Sequence, residues 1–253
     1  MFTYAHRLMV RFAGITVLLA NAVAHAGNWG VAPIKLEFDR ATRTGLITVN
    51  NEDTKPVNFQ IKLYRWFQDA QGQDQYEESN DLVYFPQIMS IEPDQKKLIR
   101  VGIKRPAETV EQIYRLFIEE LPPLTPDTPD TSAKAGASVA VLIRFGVPIF
   151  LIPTGALATP IFSNFSMGKD VLNFVVNNGG NRHVRYQEMT LASGVETLGK
   201  ADGWYVLAGA RREFAIPVKK MLCGSDQTLK ISTTVDDKSV THSLTTKEIT
   251  CTP

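Results

Sequence analysis

Beyond its first 26 residues, two histidines and two cysteines are the side chains of this sequence that could support catalytic or metal chemistry. His183 and His242 sit among polar or basic neighbours, and neither belongs to an H-E-x-x-H pattern able to hold zinc. No G-x-S-x-G nucleophile elbow and no phosphate-cradling P-loop occurs. Asp236 and Asp237 form an adjacent carboxylate pair, but neighbouring strand residues face opposite sides and cannot share acid–base work. In Thr-Val-Asp-Asp-Lys-Ser the pair reads as a hairpin turn. Cys223 and Cys251 lack a nearby Cys or His at zinc spacing. In an oxidising compartment an isolated pair is most simply a disulfide, the alternative being two buried free thiols. The bridge would close a loop of 27 intervening residues, worth about 3 kcal/mol. These residues imply no enzyme, no metal site and no cofactor.

The compartment is written in the N-terminus. Arg7 and Arg11 flank the start of a short apolar run, residues 12–20, followed by Ala24, His25 and Ala26. A basic start, a short apolar stretch and small residues at the cleavage positions describe a secretory signal peptide over 1–26, cut after Ala26. The run is too short for a membrane span of roughly 20 residues. Cleavage removes two arginines and no acids, leaving 25 basic against 26 acidic side chains and a formal charge of −1. A field that weak attracts neither nucleic acid nor a membrane surface. No later stretch is apolar and long enough to insert in a bilayer.

The elements that position these groups read as strands almost throughout. Short runs rich in Val, Ile, Phe and Tyr end at Gly, Asn, Asp or Pro, at 31–38, 45–49, 57–63, 82–91, 97–103 and 114–121. Val57, Phe59, Ile61 and Leu63 fall on one face, with Asn58, Gln60 and Lys62 on the other. A Pro-rich stretch, 122–138, reads as a long exposed loop. Pro153 and Pro160 frame small residues and mark 154–160 as the linker. A second set of strands follows at 171–176, 184–191, 203–207, 214–218, 229–234 and 239–249. The expected fold is all-β: two tandem immunoglobulin-like β-sandwich domains, 27–153 and 161–253.

One strand is long for such a domain. Residues 139–150 place Val139, Val141, Ile143, Phe145, Val147 and Ile149 at alternate positions, over about 40 Å at 3.3 Å per residue. A buried core strand would explain the pattern. An edge strand lending its N-terminal half to another protein would explain it as well. An exposed apolar edge is otherwise an aggregation hazard.

These residues resemble the periplasmic pilus chaperones of the chaperone–usher pathway. The resemblance rests on residues 33–38, on Ile91, Glu92, Pro93 and Asp94, on residues 111–123 and on residues 147–153. It implies an L-shaped pair of sandwiches in the periplasm that folds and caps pilus (fimbrial) subunits by donor-strand complementation and delivers them to an outer-membrane usher. By position Val139, Val141, Ile143 and Phe145 match the donor residues, and Lys35 matches the first of two basic residues that hold the subunit's C-terminal carboxylate. The second is missing: Pro148 stands there, which points to the alternative (archaic) branch and leaves Arg100, Arg115 and Arg144 as candidate replacements. The rival reading is a secreted two-domain surface protein, structural or adhesive, built on the same sandwich.

Overall fold

The computed structural model describes residues 28–122, 141–219, 222–224 and 226–251. The segment 1–26 expected to be a signal peptide, Val139 and nearly all of the 122–138 stretch lie outside the described residues.

The first half contains β1 (Trp29–Ala32), β2 (Leu36–Phe38), β3 (Thr44–Asn51), β4 (Val57–Gln68), β5 (Asp74–Glu78), β6 (Leu82–Phe85), β7 (Ile88–Ile91), β8 (Lys96–Ile103), β9 (Gln112–Leu121) and β10 (Arg144–Leu151). One sheet runs β1-β3-β8-β6; the other runs β2-β10-β9-β4-β5, with β7 also on β4. Between them lies a core that includes Phe38, Val49, Phe59, Ile61, Ile91, Ile99, Leu116, Val147 and Ile149. The alternation read in β4 is real: Val57, Phe59, Ile61 and Leu63 are buried, and Asn58, Gln60, Lys62 and Tyr64 are half-buried.

Two runs that read as single strands are each broken at a proline. The 31–38 run gives β1 to one sheet and β2 to the other, with Pro33 between them; the 82–91 run divides in the same way into β6 and β7 around Pro86. Proline has no N–H for a ladder, so the chain leaves one sheet there and enters the next.

The second half contains β11 (Pro160–Gly168), β12 (Val171–Asn178), β13 (Val184–Arg185), β14 (Met189–Ser193), β15 (Glu196–Ala201), β16 (Tyr205–Val206), β17 (Arg211–Pro217), β18 (Thr228–Val235), β19 (Lys238–Thr245) and β20 (Thr250–Cys251). Its sheets run β17-β12-β11-β20 and β15-β14-β18-β19, with β13 paired to β16. β11 and β15 are absent from the sequence reading, because Ser163, Asn164, Ser166, Gly199 and Lys200 dilute their apolar pattern. Asp236 and Asp237 form the β18–β19 turn at φ 45° and 61°. Cys223 and Cys251 stand in disulfide geometry, Cα atoms 6.1 Å apart. Each half keeps its own core, and the protein is a pair of immunoglobulin-like sandwiches.

A third cluster, Trp66, Ile113, Phe150, Tyr205 and Leu207, joins the halves. Polar contacts surround it. The Gln68 side chain bonds the backbone of Tyr205 and Leu207, and Asp74 accepts from Trp204 Nε1 (2.7 Å) and Arg212 (3.1 Å). The turn between β4 and β5 lies so close to β17 that a Cβ on Gly72 would meet Arg211 O at 2.6 Å. Only a residue without a side chain allows that approach.

Candidate functional site: a half-paired strand and its cations

β10 is paired fully on one side only. Its antiparallel register with β9 runs from Arg144↔Glu119 to Leu151↔Gln112. One residue further out, Glu120 N–H donates to Ile143 O (3.0 Å). That bond fixes the alternation: odd-numbered residues turn their backbone groups to β9, and even-numbered ones turn theirs to the opposite edge. On that edge the parallel partner β2 covers only residues 149–151, with Ile152 N–H donating to Phe38 O (2.7 Å). Among the described residues, no strand pairs with β10 there before Ile149. Among the described residues, the backbone groups of Arg144 and Gly146 therefore have no strand partner on that edge. Pro148 also faces this edge, so its missing N–H costs the β9 ladder nothing.

Exposure changes steeply along the apolar stripe. Leu151, Ile149 and Val147 lie in the core, Phe145 packs against it from the rim, and Ile143 is half-buried. Val141 is 53% exposed and its neighbour Leu142 46%. The folded strand is shorter than the 139–150 run implied: it begins at Arg144, and residues 141–143 carry no strand assignment. An alternating pattern records what can be buried; a strand also needs neighbours to pair with.

The four cations read from the sequence occupy three different places. Arg115 and Arg144 share the outward face of the β10 sheet, on either side of Phe117, whose ring lies over Gly146 (2.8 Å from a Cβ built there). Arg144 sits 3.6 Å from the Phe117 ring centroid and pairs with Glu119 at 2.7 Å. Arg115 lies in register with Pro148 and stacks over Trp66 at 4.2 Å, with the Trp204 ring at 5.6 Å. Its buried Nε has no hydrogen-bond partner among the described residues, and neither has the nearby Trp66 Nε1. A guanidinium lying over aromatic rings, with no carboxylate partner among the described residues, is suited to take one from a ligand.

Lys35 stands apart from these two, across Pro148, and its Nζ is 2.9 Å from Glu37. Arg100 is on the other sheet, exposed between Leu46 and Phe85 in register, both of which are exposed. The structure thus puts Arg115, Arg144 and Lys35 on the outward face of the β10 sheet, with Lys35 and Arg115 on either side of Pro148, and Arg100 on the other sheet.

Sequence reasoning missed a cavity of about 500 Å³ between the domains, lined by Lys35, Glu37, Arg182, His183, Arg185 and Asp236, among others. Glu37 lies 3.8 Å from Arg182 of the second domain. Burial pushes the Glu37 carboxyl up, but the hydrogen bond and charge of Lys35, with Arg182 and His183, outweigh it and hold the group below its ordinary value. Beneath lies a buried contact: Glu111 accepts from the His183 backbone N–H (2.8 Å), and both its oxygens are 2.9 Å from His183 Nδ1. The imidazole stacks on Phe150 at 3.8 Å. His183 follows the turn 177–180, which carries no sign in sequence that it abuts the first domain.

Residues 30–157 match the family model for the pili and flagellar-assembly chaperone, PapD N-terminal domain. The chain belongs to that family. Solved pilus chaperones share the fold of both halves. The CsuC–CsuE chaperone–tip adhesion subunit pre-assembly complex of the archaic Csu pili of Acinetobacter baumannii contains a similar chain, at 20% identity and TM-score 0.61, covering 90% of this chain and 100% of that one. The Pseudomonas aeruginosa CupB2 chaperone aligns at 17% identity and TM-score 0.53, over 83% and 96% of the two chains. A chain of the Salmonella enterica SafA pilin–SafB chaperone complex aligns at 11% and 0.57, over 87% and 98%. Among curated protein sequences no relative matches.

Proposed function

We propose that this chaperone holds pilus subunits by donor-strand complementation, with Val139, Val141, Ile143 and Phe145 as the lent residues. One observation carries the reading: the apolar stripe of β10 leaves its own core along an edge that, among the described residues, has no partner strand before Ile149. A subunit lacking a strand would add to that edge through Arg144 and Gly146 and bury Val141 and Ile143 in its groove. Each well-buried side chain would contribute roughly 1.5–3 kcal/mol, and the backbone ladder would set the register. Arg115, with Arg144 beside it, takes the subunit's C-terminal carboxylate. Arg100, on the other sheet, is not part of that anchor.

In this reading the chain is exported by the 1–26 segment and acts in the periplasm, where the Cys223–Cys251 bridge is stable. Residues 154–160 connect the domains, and the loaded chaperone delivers its subunit to an outer-membrane usher. Pro148 at the usual anchor position supports a place in the archaic branch. The test is co-expression with a pilus subunit, followed by affinity recovery from the periplasm. Val141→Asp combined with Ile143→Ser should abolish recovery of the complex while the free chaperone keeps its melting temperature. Undiminished co-purification would refute the donor assignment.

A further inference from the structure

The cleft between the domains contains a carboxylate site that the protein itself fills. Lys35 comes from the first domain, just before β2, and Arg182 from the second, in the turn between β12 and β13. Both converge on the carboxylate of Glu37, at 2.9 and 3.8 Å. The pair Lys35 and Glu37 lies on one side of a short strand, two residues apart, as the alternation of β2 requires. Leu36 and Phe38 go into the core and fix this orientation. Arg182 is then brought over by Glu111, which holds His183 from beneath.

We propose that Glu37 is an internal competitor for this cleft: it occupies the site formed by Lys35 and Arg182 and so keeps a subunit carboxylate out, which sends that carboxylate to Arg115. The site's ligand class is a carboxylate, and its present occupant is supplied by the chain. The other charges around it support the assignment. Arg185 lines the same cavity and lies over the Tyr205 ring at 5.3 Å, while Asp236 and Asp237 line its far side. With Glu37 ionised, three cations face three acids and the cavity offers an incoming anion no net attraction. Neutralising Glu37 alone tips the balance and leaves Lys35 and Arg182 facing an open cavity. A Gln at position 37 keeps shape and one acceptor oxygen, so the first domain retains its packing.

The inference rests on the subunit-capture reading for the source of the carboxylate, and its test separates the two. The probes are a fluorescent alternating Val/Thr hexapeptide with a free C-terminal carboxylate and the same peptide ending in an amide. The unaltered chaperone should favour the free carboxylate only as far as Arg115 provides, with no dependence on Lys35. Glu37→Gln should raise the preference for the free carboxylate about five-fold above that of the unaltered chain, in line with one partly exposed charge pair, and adding Lys35→Met or Arg182→Met should erase that gain. A Glu37→Gln protein without the gain, including one that binds neither peptide, overturns the proposal. So does a Lys35-dependent preference in the unaltered chain. Val141→Asp and Arg115→Glu, scored for subunit recovery, address the other reading: unchanged recovery there with a gain in Glu37→Gln would sink donor-strand capture and leave the internal competitor standing.

Discussion

The two ends of the β10 stripe are chemically alike and physically opposite. Val147, Ile149 and Leu151 are sealed in the first core, whereas Val141, at the same spacing, is more than half exposed. What differs is the cover around the strand. β2 lies beside residues 149–151 and the opposite sheet closes over them, but neither reaches beyond Phe145. The strand therefore stabilises its own domain at one end and leaves the same kind of surface exposed at the other. The comparison teaches that burial is a property of neighbours and not of the pattern.

The largest gap between the ends should appear in stability. Ile149→Ala removes fully buried methyl groups and should cost about 2–5 kcal/mol in urea unfolding of the first domain, whereas Val141→Ala should stay within about 0.5 kcal/mol. Similar costs at both positions would mean that Val141 is covered in the free protein. A control of comparable size comes from the second domain. Cys223→Ser with Cys251→Ser should lower its stability by about 3 kcal/mol without moving the first domain's transition or subunit recovery, because the bridge touches neither β9 nor β10. A coupled loss would show that capture depends on both sandwiches.

A smaller difference should separate the cations. Arg115→Glu, beside the open edge, should weaken subunit recovery about ten-fold, the loss expected of a charge-assisted contact. Arg100→Glu, on the other sheet, should weaken it less than two-fold in the same salt. Equal losses would indicate bulk electrostatics rather than an anchor.

The smallest effect is an acid sensitivity confined to the second domain. Burial against Phe162 and Phe165 holds the His242 imidazole below its ordinary 6.5, with Glu248 acting in the other direction. Below about pH 6.5 the unfolded chain thus binds more protons than the folded one, so stability falls as pH drops through that window and is unaffected above it. His242→Phe should reduce the melting-temperature difference between pH 7.5 and pH 5.5, with subunit capture at pH 7.5 unchanged. An undiminished difference would assign the sensitivity to another group.

Much of the fold is legible in the order of residues. The alternation in β4, the strands around residues 97–103 and 114–121, and the Asp236–Asp237 turn all follow from side-chain period and turn chemistry. The broken runs 31–38 and 82–91 were harder, because a proline can end a strand or merely sit at its edge; Pro33 and Pro86 mark a change of sheet, while Pro148 sits in an unbroken strand with its missing donor facing outward. β11 and β15 escaped notice because their polar and small residues take most of their order from neighbours already in place.

The candidate site divides along the same line. By itself the sequence determined that a long apolar alternation precedes the end of the first domain, and that lysine, arginine and proline stand where they do around it, since these depend only on local period and residue type. Only the tertiary structure decided that the alternation runs out of its core at Phe145, that Arg115 lies over Trp66 with its Nε unpartnered among the described residues, and that Lys35 is held by Glu37 with Arg182 of the second domain. Those are contacts between segments far apart in the chain, set by how two sheets and two domains pack, and no local pattern encodes which charge will meet which.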